Sequence, residues 1–145
     1  MYKCILIPTD GSEFCEHAIR RGVNLAKLLQ AKVIGMTVTQ LLHTGPPRAM
    51  IPASVAGMIH TETVKQAAEK LNAIEQAAKA DGVTVETVHE INDHPWEAIV
   101  NTAKAKGCDL IVMASHGRRG ASALILGSET QKVLTHTSIP VLVVR

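Results

Sequence analysis

The segment Asp109-Leu110-Ile111-Val112-Met113-Ala114-Ser115-His116-Gly117, with Gly127-Ser128 following after nine intervening residues, decides the fold. An aliphatic run rich in β-branched and long side chains stops abruptly at small, polar, glycine-bearing residues. This pattern predicts a buried strand that delivers a loop made largely of backbone. Gly117 and Gly120 let the main chain take positive φ and bring N–H groups close to a ligand. Gly127-Ser128 stands just before a helical pattern, whose first N–H groups have no partner inside the helix. Phosphate is the natural guest of both features.

Outward from this run lie four more: Tyr2 to Pro8, Lys32 to Val38, Val83 to Ile91 and Pro140 to Val144. With Leu110 to Ala114 they are strand candidates. Segments of helical period separate them. The clearest places Val64, Ala67, Ala68, Leu71, Ile74 and Ala78 on one stripe; another aligns Phe14, Ala18, Val23, Ala26 and Leu29. Ser12 is a candidate cap for the first helix, Pro95 fits the first turn of the third, and Gly82 and Gly107 follow the second and third. Runs such as Ile5-Leu6-Ile7 are apolar on both faces, as in a parallel sheet covered on each side. The expectation is a single doubly wound α/β domain over residues 1–145, a five-stranded parallel sheet in the order 3-2-1-4-5.

That order puts a ligand crevice beyond the ends of the first and fourth strands, which exit as Thr9-Asp10-Gly11-Ser12 and Ser115-His116-Gly117. One segment departs from the pattern. Residues His43 to His60, with Gly45-Pro46-Pro47, Pro52 and Gly57, read as a long flexible loop, either a lid or a disordered connection.

Composition excludes several classes. Fifteen basic against thirteen acidic side chains give a formal charge of +2, and adjacent basic pairs occur only at Arg20-Arg21 and Arg118-Arg119. No nucleic-acid stripe is visible, and one Phe, one Tyr and one Trp leave little for base stacking. Three widely spaced cysteines without a C-x-x-C pair fit a reduced, cytoplasmic chain. No apolar stretch approaches the roughly 20 residues of a membrane span, and no signal peptide is evident.

Across essentially all 145 residues the chain resembles the universal stress protein (UspA-like) family, in its nucleotide-binding branch. The resemblance is carried by Ile5-Leu6-Ile7-Pro8-Thr9-Asp10-Gly11-Ser12, by Ser115-His116-Gly117-Arg118-Arg119-Gly120, and by Gly127-Ser128 through Val144. That branch has glycine, two residues, glycine, nine residues, then glycine with Ser or Thr; Gly117, residues 118–126 and Gly127-Ser128 match it. The pattern's first glycine falls on Ala114, where positive φ would be costly. Two further departures are Asp93, where members commonly have glycine, and the acidic Glu129 after Ser128.

Carried over by position, the resemblance implies an adenine nucleotide (ATP, ADP or AMP) as ligand. Asp10 would approach its ribose or a bridging Mg²⁺, Val38 would lie against adenine, and Ala114, Gly117, Gly127, Ser128 and Thr130 would line the phosphates. Pro8, Thr9, His116, Arg118, Gly120 and Glu129 complete the candidate site. His116 could meet phosphate or simply stabilise its loop. Of Arg118 and Arg119, at most one is expected to neutralise phosphate.

The seven histidines lack H-E-x-x-H spacing, so no resident metal site is expected. The P-loop, G-x-G-x-x-G and G-x-S-x-G patterns are absent, no catalytic residue is assigned, and any ATP hydrolysis should be slow. Two functions remain open: a nucleotide-dependent stress-response sensor or regulator, and a nucleotide-free dimeric scaffold. Either is expected to form a homodimer through residues 140–144, an apolar edge strand, as the resemblance also implies.

Overall fold

Two strands are buried along their whole length, β1 (Cys4–Pro8) and β4 (Leu110–Ala114), and the direction of their side chains organises everything else. Successive residues of a strand point to opposite faces. Ile5, Ile7, Leu110, Val112 and Ala114 enter one core cluster, whereas Cys4, Leu6, Ile111 and Met113 enter another. The first is closed by α1 (Glu13–Leu29) and α2 (Ala53–Ala80), the second by α3 (Pro95–Ala105) and α4 (Ser128–His136). This computed structural model describes residues 1–41, 47–116 and 126–145.

The remaining strands are β2 (Lys32–Thr39), β3 (Val85–Ile91) and β5 (Val141–Val144), and all pairings are parallel in the order β3-β2-β1-β4-β5. The expected doubly wound sheet is therefore present. Its two edges differ in chemistry. In β3, Glu86, His89 and Glu90 interrupt the apolar residues, whereas β5 reads Val-Leu-Val-Val and leaves Leu142 42% exposed.

Helix ends follow their residue types. Pro95 occupies the first turn of α3, and Gly82 and Gly107, just past α2 and α3, have φ of 67° and 64°. Those values are open to glycine at little steric cost. Ser12 stands at the N-cap of α1, but its side chain makes no capping bond; its hydroxyl donates to Cys15 Sγ at 3.6 Å.

Some expectations need correction. Residues 53–60 are the first two turns of α2, preceded by a 3-10 turn, Arg48–Met50, so the loop reading of His43 to His60 fails there. Residues 42–46 lie outside the described set. Pro52 misleads as a loop residue because proline also fits immediately before a helix. Phe14 and Val64, placed on apolar stripes, are 52% and 45% exposed, and Ala68 is exposed too. Three strands also start later than expected, at Cys4, Val85 and Val141.

Candidate functional site: the crevice between β1 and β4

The sheet opens where the winding reverses. Backbone pairing of β1 with β4 is confined to Ile5↔Leu110 and Leu6↔Ile111, although β1 continues beside β2 to Pro8↔Met36 and β4 beside β5 to Ala114↔Val144. Beyond Leu6 and Ile111 the two central strands are no longer laddered. A crevice at this position is what the topology of such sheets produces.

On the β1 side, Thr9 is buried and locked to β2: its N–H donates to Met36 O at 2.8 Å and its carbonyl accepts the Thr37 hydroxyl at 2.8 Å. Thr9 Oγ1 accepts the N–H of Gly11 at 3.1 Å, and Gly11 turns with φ 79°. Asp10, half-buried, is aimed at the start of α1. Its Oδ1 accepts the Ser12 N–H at 2.9 Å and the Cys15 thiol at 3.2 Å. Burial, followed by lesser effects of Asp10 and Ser12, keeps the Cys15 thiol above its ordinary value, so it stays protonated and able to donate. Val38 lies on the other face, packed against the α3/α4 cluster, two residues past the last β1–β2 pair.

On the β4 side, Gly127 is the hinge pin. Its N–H donates to Ser115 O at 2.7 Å, and a Cβ placed on it would stand 3.0 Å from that oxygen and 3.3 Å from His116 Cα. The glycine is needed for close approach, with an ordinary φ of −58°. That approach is to the protein's own strand exit, and it brings the start of α4 to the crevice. The first bond into α4 runs from Gln131 N–H to Gly127 O, leaving the N–H groups of Ser128, Glu129 and Thr130 without helical acceptors.

Other candidates acquire specific positions. Ala114 is buried in β4, and the one non-glycine residue of positive φ among those described is Gln30, so no strained backbone penalises alanine here. Thr130 is 3% exposed and its hydroxyl donates to Ala114 O at 3.0 Å, so its side chain is a strut and only its N–H belongs to the free helix start. The Glu129 side chain turns toward α3. Its Oε2 accepts the Trp96 N–H at 2.9 Å and its Oε1 meets Lys132 Nζ at 3.0 Å, so its charge caps α3 from the neighbouring helix. Trp96 in turn stacks on His136 with ring centroids 4.3 Å apart.

His116 Nδ1 is hydrogen-bonded to Ser115 Oγ at 3.0 Å, and its ring lies 6.4 Å from that of Phe14. Its Nε2 is buried with no hydrogen-bond partner among the described residues. Gly117, Arg118 and Gly120 lie outside those residues. The exposed flank of α2 borders the β1 exit, a neighbour that sequence reasoning did not mark. Gln66, Glu69, Lys70 and Ala73 face Thr9, Gly11 and Ser12 across a groove of about 460 Å³. Nothing in the helical period marks them, because it reports the buried stripe. Among the described residues no three His, Cys, Asp or Glu side chains gather as a metal site, and no helix is long and apolar enough to cross a membrane.

Fold and crevice together define a doubly wound α/β protein with an open switch point served by a helix N-terminus. The chain belongs to the universal stress protein family, whose model matches residues 1–145. It is 33% identical over 146 residues to universal stress protein MJ0531 of Methanocaldococcus jannaschii, covering 100% of this chain and 83% of that one. The solved structure of MJ0577 superposes with a TM-score of 0.81 at 29% identity, covering 99% of this chain and 96% of the other. A universal stress protein crystallised in complex with cAMP gives 0.72 at 24% identity, covering 99% and 97%. One from Archaeoglobus fulgidus in complex with dAMP gives 0.65 at 20%, covering 99% and 98%.

Proposed function

We propose that this chain binds an adenine nucleotide in the crevice between β1 and β4 and acts as a nucleotide-dependent sensor or regulator. The observation that carries this reading is the Gly127–Ser115 contact, which sets α4 N–H groups that have no helical acceptor beside the point where β1–β4 pairing ends. Those N–H groups and the helix dipole suit phosphate. The buried Nε2 of His116, which has no hydrogen-bond partner among the described residues, is a further polar group at this exit. Fold relatives crystallised with cAMP and dAMP make adenosine phosphates the class to test.

In this reading Asp10, held by Ser12 and Cys15, faces ribose hydroxyls or a Mg²⁺ carried by the nucleotide, Val38 faces adenine, and Ser128, Glu129 and Thr130 supply main-chain N–H to phosphate. A carboxylate repels polyphosphate unless hydroxyls or a cation intervene, which is why Mg²⁺ belongs in the test. ATP hydrolysis, if it occurs, is slow, and signalling follows occupancy. The experiment is to denature freshly purified protein and run the supernatant on anion exchange. A stoichiometric adenine-nucleotide peak is expected; an empty trace, repeated after incubation with ATP and Mg²⁺, would overturn the reading.

A second reading, a dimeric scaffold without nucleotide, is favoured by the apolar edge β5. Leu142 is exposed, and a hollow of about 400 Å³ beside it is lined by Leu126, Val143 and Val144 with Arg21 and Arg145. Pairing of β5 with its symmetry mate would cover this edge. A dimer by light scattering at micromolar concentration is expected under both readings, and a monomer would remove the pairing from each.

A further inference from the structure

The sheet's other end carries chemistry that the nucleotide reading does not use. Cys4 opens β1 and Cys108 precedes β4 by two residues; although 104 positions apart in the chain, their sulfurs stand 3.1 Å from each other. Both are buried, at 3% and 5% exposure, and both belong to the core cluster on the α3/α4 face. Their backbones are fixed independently of the thiols. The Asp109 carboxylate accepts the N–H groups of Lys3 and Cys4, Asp109 N–H donates to Cys4 O at 3.0 Å, and the β1–β4 ladder begins at Ile5↔Leu110. Closing a bond between the two cysteines needs the sulfurs to approach from 3.1 Å to about 2.05 Å. The third cysteine, Cys15, belongs to the opposite cluster and donates to Asp10.

We propose that Cys4 and Cys108 are a redox modification site, closing to an intramolecular disulfide when the chain meets a low-molecular-weight disulfide and reopening with thiol. In the first step one protein thiol loses its proton, and its sulfur attacks the small disulfide. The S–S bond of that molecule breaks and one small thiolate leaves. The second protein thiol, also deprotonated, attacks the mixed disulfide at the protein sulfur and expels the other small thiolate. The two protons lost go to the two leaving thiolates. Two electrons pass from the protein to the small disulfide, and the products are one protein disulfide and two small thiols.

Burial, then the neighbouring Cys4, pushes the Cys108 thiol well above its ordinary range. Thiolate is therefore scarce in the closed fold, so exchange on the native protein is slow and accelerates with pH or with opening of the strand ends. Once formed, the bond ties the first strand to the fourth across a long loop. Such a closure restricts the unfolded chain strongly, and the oxidised protein should melt on the order of 10 °C above the reduced one.

The test is to unfold the full chain with reductant, refold it in reduced and oxidised glutathione, trap with acid and alkylating agent, and map peptides by mass. The expected product is lighter by two hydrogens, has Cys4 joined to Cys108, and keeps only Cys15 open to alkylation. Cys15→Ser should leave this product intact, while Cys4→Ser and Cys108→Ser should each abolish it with the circular dichroism unchanged. Three alkylatable thiols at every glutathione ratio, a crosslink that includes Cys15, or bridges only between chains would overturn the proposal. The wild-type map decides the question even if a variant folds poorly.

Discussion

The two ends of the parallel sheet are built in opposite ways. At the end where the strands start, the chain ties off its own polar groups. Asp109 takes three N–H bonds from Lys3 and Cys4, Lys27 pairs with Asp81 at 2.6 Å, and helix exits turn through Gln30, Gly82 and Gly107. At the end where the strands finish, pairing of β1 with β4 has stopped and α4 begins with N–H groups that no helical carbonyl reaches. Helix polarity reinforces the contrast. First turns carry Glu13, Glu16, Glu97 and Glu129, last turns carry Lys27, Lys79 and Lys104, and in a βα arrangement the positive dipole ends lie at the end of the sheet where the strands finish. One end is closed by internal bonds, and the other leaves helix N–H groups without helical acceptors.

The contact that holds the open end together is the one to break first. Gly127→Val would drive a branched side chain into Ser115 O and His116 Cα, backbone atoms that can yield only if the strand exit moves. A loss of about 1–3 kcal/mol in urea denaturation is expected from overpacking. Adenine-nucleotide affinity should fall at least about tenfold, read by isothermal titration under conditions where circular dichroism confirms folding. Unchanged affinity in a folded variant would detach the nucleotide reading from α4.

Thr130→Val sharpens the same end by separating strut from ligand group. The substitution keeps shape and removes a buried hydrogen bond, the hydroxyl donating to Ala114 O, for a loss of about 1–2 kcal/mol. Because the N–H of residue 130 survives, nucleotide affinity should change less than about threefold, well below the Gly127→Val effect. An affinity loss equal to that of Gly127→Val would show that the hydroxyl itself faces the nucleotide.

How much of this was legible in the sequence varies with where each signal is stored. Ile5-Leu6-Ile7 and Leu110-Ile111-Val112-Met113 announce themselves because a strand buried on both faces must be apolar throughout. The first two turns of α2 do not, since Val55, Met58 and Ile59 are exposed and no buried stripe imposes a period. The apolar run places the start of β1 at Tyr2, but the strand begins at Cys4, because Asp109, far away in the chain, captures the first N–H groups. Glu129 illustrates the same point at the candidate site. An acid directly after Ser128 stands beside the phosphate motif in sequence, yet its carboxylate turns to the Trp96 N–H, a contact only helix packing creates, and to Lys132 one turn on in the same helix. Cys4 and Cys108 likewise meet through strand order and register, which spacing alone does not encode.

At the closed end the largest expected effect is that of Asp109→Asn. Partial burial pushes this carboxyl up, but the N–H groups of Cys4 and Lys3 outweigh that and hold it below its ordinary 3.8. A depressed pKa in the folded state means that ionised Asp109 stabilises the fold above the unfolded-state value, and that this contribution is lost as pH falls through the folded-state value. The variant should therefore be less stable than the parent by about 1 kcal/mol at pH 7, the figure discounted for partial solvent access. The gap should close below 3.8. Urea titrations at both pH values check this, and a gap independent of pH would assign the loss to packing rather than to charge.

The smallest effect belongs to the ion pair of Lys106 with Glu86, also at the closed end. Its atoms are in close contact, the Glu86 carboxyl is lowered chiefly by its hydrogen bond to Lys106, and Lys106 is raised by the same bond. Geometry alone would rank it with Asp109. Yet the two side chains are 37% and 50% exposed, so water already solvates both charges, and fixing two long side chains costs entropy that the attraction barely offsets. Asp109 differs in kind, because its partners are main-chain N–H groups at and just before the start of β1, with no long side chain to immobilise. Lys106→Met is therefore expected to leave the melting temperature unchanged within error at about 0.15 M salt. A destabilisation that vanishes as salt rises would show instead that surface charge, and not the capture of Lys3 and Cys4 by one carboxylate, closes this end of the sheet.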